Sequence, residues 1–221
     1  MSKLISIPSL FSKAWNMYRL RISYFVSLLA VPYGIFVLNS ILAQFVFFTP
    51  IALLLSLASL ALLVLVVIAI LLSLESDELP DFKKSWELAR PHFWSLIFTS
   101  IISGLIVIGG SFLFFVPGLI FAFYLSFTKM IVVLEKKNGL HALSRSWSYV
   151  RGYFWPVVIR TLVLMIVVVL VSMLIGSVVI IFGQLIGNLL SLLLQALILP
   201  FAIIYSYCLY KDVREIKGIE I

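Results

Sequence analysis

Acidic side chains are scarce in this 221-residue sequence, nine Asp and Glu against sixteen Lys and Arg, and it holds two histidines and one cysteine. Each shortage excludes something. A single cysteine, Cys208, rules out an intramolecular disulfide framework and any multi-cysteine metal site. His92 and His141 stand in no metal-ligand spacing such as HExxH, and no GxSxG, P-loop or Rossmann glycine pattern occurs. No set of nucleophile, base and metal ligand can be assembled, so the sequence reads as a non-enzyme with no metal and no cofactor. From Phe93 to Leu134 and from Tyr153 to Tyr210 there is no Asp or Glu, nor is there one between Tyr24 and Leu74. Ion-coupled transporters set carboxylates at mid-membrane, and this chain has none to offer. The first residues, MSKLISIPSLFSKAWNMYRLR, lack the apolar run and cleavage site of a signal peptide, so none is expected.

What the sequence has in excess is apolar length. Hydrophobic residues make up 63% of the chain and charged residues 11%, against about 45–50% and about 25% in an ordinary soluble domain. Lipid must therefore be the solvent for most of the surface, and one compact bundle uses all of the chain. The net charge of +7 does not point to nucleic acid, because the basic residues are scattered over short segments flanking apolar runs. A crossing needs about 20 apolar residues. Runs of that kind cover Tyr24 to Phe48, Ile51 to Leu74 and Phe93 to Val116, with a shorter one from Leu119 to Leu134. Tyr153 to Tyr210 is long enough for two more, broken at Gly183 to Asn188. The reading is an all-α polytopic membrane protein of six spans in three hairpins. The turns at Thr49-Pro50, Pro117-Gly118 and Gly183 to Asn188 carry no charge, so all sixteen basic residues lie at the opposite side or just inside it. The positive-inside bias makes that side, with both termini, cytoplasmic.

A pattern repeats before each hairpin. It reads Phe11, Lys13, Trp15, Arg19, Ile22, then Phe82, Lys84, Trp86, Arg90, Phe93, then Leu143, Arg145, Trp147, Arg151, Phe154. A basic residue stands two before each tryptophan and an arginine four after it. On a helix the apolar positions, with Tyr18, Ala89 or Val150 between them, share one face and the basic ones turn away. Such segments predict interfacial helices with Trp15, Trp86 and Trp147 as anchors and Arg19, Arg90 and Arg151 among lipid phosphates. The chain thus divides into three repeat units, roughly 8–75, 79–138 and 140–210, and a cytoplasmic tail, 211–221. Parallel repeats of this kind permit, without requiring, a pseudo-threefold arrangement.

Other polar residues have two readings each. Lys129 and Arg160 lie slightly inside the membrane and either snorkel to the surface or join Arg90 and Arg151 around a shallow basic pocket for an anionic headgroup. Asn39, Gln44 and Gln195 read first as interhelical hydrogen bonds. Gly104, Gly109, Gly110 and the Gly183–Gly187 pair read as sites of close helix approach, and Pro32 and Pro200 as kinks. The acids Glu75, Asp77, Glu78 and Asp81 read as a helix cap for the second repeat.

The stretch from Phe114 to Trp155 resembles bacterial multi-span proteins related to the glycerophosphoryl diester phosphodiesterase membrane domain. It carries Pro117-Gly118 opening a span, the turn Glu135 to Gly139, the segment Ala142 to Ser146, and Gly152 before Tyr153. In the enzymes bearing that domain the hydrolase is a separate module with metal-binding acids and histidines. These residues hold no such module, so no phosphodiesterase activity is carried over. The function expected is engagement of anionic membrane lipid as a scaffold, a lipid-handling factor or an accessory subunit, with a membrane-protein partner or a second copy as possible company. The alternative is a facilitator or channel for a small or lipid-like substrate. The expected location is a bacterial or archaeal cytoplasmic membrane.

Overall fold

A computed structural model describes residues 4–42, 49–76 and 78–218. Among them the chain is helical throughout, in nine α-helices: α1 (Ile7–Leu42), α2 (Thr49–Glu75), α3 (Phe82–Ala89), α4 (Phe93–Leu113), α5 (Phe115–Tyr124), α6 (Thr128–Leu134), α7 (Gly139–Val150), α8 (Phe154–Phe182) and α9 (Gln184–Ile216). A 3₁₀ turn, Arg90–His92, joins α3 to α4. Six stretches are long and apolar enough to cross a membrane: Ile7–Asn39, Pro50–Glu75, Phe82–Phe112, Phe115–Leu134, Phe154–Ser177 and Leu190–Ile216. A continuous helix is what a chain in hydrocarbon must form, since only it satisfies every backbone donor and acceptor within one segment.

The hairpin ends differ from those expected. The second one breaks at Phe114, whose backbone is extended, while Pro117 and Gly118 lie in the first turn of α5. Proline lacks the N–H that a first turn leaves unbonded, so it starts this helix rather than ending the one before. Gly118 is required by proximity, because a Cβ there would run into the Ser111 hydroxyl of α4 and sit 2.7 Å from the Ser111 backbone nitrogen. In the third hairpin only Gly183 is non-helical, at φ 76° and ψ 172°, a conformation open to glycine. The amides that follow it belong to the first turns of α9. The Thr49-Pro50 turn expected after the first span opens α2 instead, and Gln44, with the rest of 43–48, lies outside the described residues. Helices α1 and α9 run unbroken through Pro32 and Pro200.

The fourth span is two helices. Residues 125–127 form a turn between α5 and α6. Spans four and six are also the inner ones, with 50% and 39% of their most apolar windows buried, whereas the other four have 17–22%. The core therefore gathers on α6 and the C-terminal half of α9, where Ile131, Val132, Val133, Ile204, Tyr205 and Tyr210 are buried. Helix α1 closes on α9 through Leu10, Ala14, Tyr18, Phe25 and Leu28, spaced to keep one face inward. The N-terminal ends of α1, α4 and α8 and the C-terminal ends of α2, α6 and α9 meet at one end of the bundle. Hydrogen bonds between Ile5 and Asp212, Arg160 and Ile5, Arg21 and Ser73, Gly139 and Thr99, and Tyr210 and Glu135 fix this. This is the charged end.

Candidate functional site

The three Trp–Arg segments share their spacing but are built in three ways. Trp15 and Arg19 belong to α1, which continues into the first span with no break. Trp86 is on α3 and Arg90 begins the 3₁₀ turn. Trp147 is on α7 and Arg151 caps it, with Gly152 at φ 92° turning the chain into α8. Trp15 is exposed against Tyr18 and Phe201. Trp86 meets Phe82 edge-on at 5.9 Å, and Trp147 stacks on Tyr124 at 3.8 Å.

The seven arginines sort into two sets. Four are held by protein. Arg21 donates to the Ser73 and Ser76 carbonyls, and Arg214 pairs with Glu75 at 3.6 Å. Arg145 donates from Nε to Glu135 at 3.2 Å. Arg160 donates to the Leu4, Ile5 and Pro156 carbonyls, the shortest bond being 2.6 Å. Arg160 neither snorkels nor joins Arg90 and Arg151; it clamps the N-terminal segment, whose Ile5 N–H donates to the buried Asp212 carboxylate at 2.9 Å. The other three, Arg19, Arg90 and Arg151, are exposed, and no described residue bonds to their guanidinium groups. They are the three at the repeated position.

Glu135 is a junction that the sequence reading passed over as part of a turn. Its side chain is 4% exposed and receives Arg145 and, more distantly, Lys137. Tyr149 and Tyr210 donate their phenol protons to its Oε1. This carboxylate thereby joins α6, α7 and α9. Burial, reinforced by the Glu135 charge, pushes the Tyr149 phenol up to about 12. Lys217 ties the end of α9 to the Ser148 and Arg151 carbonyls. The signal for this network was available: Glu135 and Asp212 are acids at the very ends of otherwise acid-free spans. The expected acidic cap is not made. Glu75 ends α2 and pairs with Arg214, Asp81 stands at the start of α3 without a side-chain cap bond, and Asp77 lies outside the described residues.

Lys129 is different again. It is exposed at the wall of two neighbouring cavities. One, of about 380 Å³, is lined by Val64, Val67, Leu96, Ile97, Ser100, Ile101 and Lys129. The other, of about 440 Å³, takes in Ser103, Leu125, Ser126 and Thr128 beside the same Ser100 and Lys129. The remaining expectations divide. Asn39 donates to Ser56 Oγ at 2.8 Å, an interhelical bond of the kind expected. Gln195 lines a cavity of about 140 Å³ with Pro32 and Tyr33. Gly110 does allow close approach, its notional Cβ falling 2.6 Å from the Phe121 ring, but nothing lies within 4 Å of one at Gly104 or Gly109. No group of three or more His, Cys, Asp or Glu able to hold a metal occurs among the described residues.

The described residues form an all-helical bundle whose six long apolar stretches are compatible with a polytopic integral membrane protein. Residues 103–213, half of the chain, match a family described as a domain of unknown function, DUF7847, and the chain belongs to that family. The match runs from α4 to α9, so it takes in Lys129, Glu135, Arg160 and Asp212 and leaves out Arg19 and Arg90. It shows no link to the glycerophosphoryl diester phosphodiesterase membrane domain. No curated protein and no solved structure matches the chain.

Proposed function

We propose that this protein is a non-enzymatic membrane scaffold or lipid-handling factor that engages anionic lipid at its charged end, which faces the cytoplasm. One observation carries the reading: of seven arginines, the three that recur four residues after a tryptophan are those whose guanidinium groups have no partner among the described residues. Had these positions been packing features, the bundle would have consumed them as it does Arg21, Arg145, Arg160 and Arg214. A guanidinium suits a lipid phosphate because its planar fork can hold two oxygens at once. Passage along the bundle axis fits less well, since fully buried Phe25, Phe127, Tyr149, Tyr205 and Tyr210 fill the charged half.

Each basic residue near an anionic surface contributes about 1 kcal/mol. Protein purified in lipid-containing detergent should therefore lose bound phosphatidylglycerol or cardiolipin modestly in each single variant, Arg19→Gln, Arg90→Gln and Arg151→Gln. The triple variant should lose it by several-fold to a hundredfold while staying folded. A triple variant with its full lipid complement sinks the reading. The orientation is tested separately in a Cys208→Ser background. Cysteines at Pro50 and Phe114 should react with an impermeant thiol reagent outside the cell, and cysteines at Ser76 and Asn138 should not.

A further inference from the structure

The broken fourth span carries polar groups that the bundle does not use. The Oγ of Ser126 and the Oγ1 of Thr128 are buried without a hydrogen-bond partner, and Thr128 as a residue is 4% exposed. The Lys129 ammonium makes no hydrogen bond or ion pair with any described residue. All three line one cavity together with the Ser100 and Ser103 hydroxyls of α4. No carboxylate lines either this cavity or its neighbour. Their remaining walls are Val64, Val67, Leu96, Ile97, Ile101 and similar apolar side chains.

Depth matters to the argument. Lys129 lies five residues before the end of α6, and Val67 eight before the end of α2, so the site begins about 7 Å and extends to about 12 Å below the charged end. Buried hydroxyls normally find a partner, and those that do not call for an explanation. A lysine that merely snorkels accounts for its own position but leaves Ser126 and Thr128 unexplained. One cation and several hydroxyl donors without a carboxylate select an oxyanion. Apolar walls, each cavity within the usual size of a ligand pocket, select an oxyanion carried on a hydrocarbon chain.

We propose that the crevice between α2, α4 and the α5–α6 break holds the oxyanion head of a single-site amphiphile, with Lys129 as its counter-ion and Ser126 and Thr128 as donors. The head is a fatty-acid carboxylate or a phospholipid phosphate, and its chain lies along Val64, Val67 and Ile101. This site is deeper than, and separate from, the arginine contacts at the surface. It rests on the chain being embedded in lipid but not on those contacts.

The test uses the full chain in nanodiscs of phosphatidylcholine doped with a diazirine-bearing fatty acid in one arm and a diazirine-bearing phosphatidylglycerol in the other. Native mass spectrometry and crosslink mapping are then read together. Wild type should retain one probe resistant to detergent exchange, crosslinked to α2 or α4 near Val64 to Ile101. Lys129→Met should reduce that retention at least tenfold, Lys129→Arg should largely restore it, and Ser126→Ala/Thr128→Val should reduce it several-fold. The Arg19/Arg90/Arg151→Gln triple variant should keep it while losing loosely held lipid. The arm that labels identifies carboxylate or phosphate as the source, and labelling in both supports the shared chemistry. Equal retention by wild type and Lys129→Met overturns the proposal, as does equal labelling by an uncharged diazirine-bearing monoacylglycerol, or none in either arm. If Lys129→Met fails to fold, the hydroxyl double variant decides by the same readout. Loss of lipid in the arginine triple alone leaves this site standing, and loss in the Lys129 variant alone leaves the surface reading standing.

Discussion

Helix α9 and the α5–α6 pair do the same job in the bundle, returning the chain to the charged end along its inner side, yet they treat polar groups in opposite ways. Helix α9 is continuous, and four polar groups of its inner half are partnered. The Tyr205 hydroxyl donates to the Arg160 carbonyl, Tyr210 to Glu135, Ser206 to the Ala202 carbonyl, and Asp212 accepts from Ile5. In α5–α6 the helix is interrupted, and among the described residues the two buried hydroxyls at the interruption and the adjacent lysine have no partner. Both are apolar spans carrying hydroxyls, with Lys129 in one and Lys211 and Arg214 in the other, and only α9 also carries acids, Asp212 and Glu215. The neighbours differ as well. Helix α9 packs on α1 and α8, which meet it with the Tyr18 hydroxyl and the Arg160 carbonyl, and its Tyr210 reaches the Glu135 carboxylate, whereas α4 brings serines and open space to the interruption. A buried polar group without a partner is costly, so the first arrangement builds a rigid clasp and the second leaves two hydroxyls unsatisfied beside open space.

The comparison can be broken most severely at Glu135. Glu135→Ala removes one buried acceptor from Tyr149, Tyr210 and Arg145 together. Leaving such donors unpaired costs about 1–3 kcal/mol each before relaxation, so a loss of about 2–4 kcal/mol is expected in a denaturant titration in micelles. A loss below about 1 kcal/mol would mean that the clasp is not where the bundle is held. Next comes Gly118→Ala, whose methyl would meet Ser111. Overpacking of this kind costs about 1–3 kcal/mol, while Gly104→Ala, with open space around it, should stay within about 0.5 kcal/mol. Equal effects would show that α4 and α5 are not closely apposed.

A gentler change is Asp212→Asn, which keeps the shape of the acceptor but removes its charge at the Ile5 amide. It should weaken the N-terminal clamp by about 1 kcal/mol. A cysteine at Ser6, in a Cys208→Ser background, should then be labelled faster while the global midpoint hardly moves. Smallest of all is Thr128→Val. If its hydroxyl has no protein partner, this near-isosteric change should be neutral or stabilising by up to about 1 kcal/mol in lipid-free micelles. A clear destabilisation would show that the hydroxyl is already satisfied and that the contrast with α9 is false.

The all-helical class, the six apolar spans and the gathering of charge at one end were legible because they depend on a sum over many residues. No arrangement of this chain escapes the need to shelter its apolar length and to satisfy its backbone. The turn chemistry was half legible. Proline and glycine at 117–118 marked the right neighbourhood, but the sequence does not say whether they end one helix or begin the next. That depended on Ser111 standing opposite Gly118. The aligned arginines were legible as a pattern, and their freedom from partners was not, because Arg19 and Arg21 look alike until α2 presents its carbonyls to one of them. Arg160 read as a snorkelling cation or a lipid contact and proved to be a clamp for the same reason, since its partners Leu4 and Ile5 are about 155 positions away in the chain. Thus the sequence alone determined which residues must avoid water and which end must carry charge, through additive transfer energies. Only the tertiary structure decided which polar groups are paired and which are left open, because pairing depends on what one helix places within about 3 Å of another.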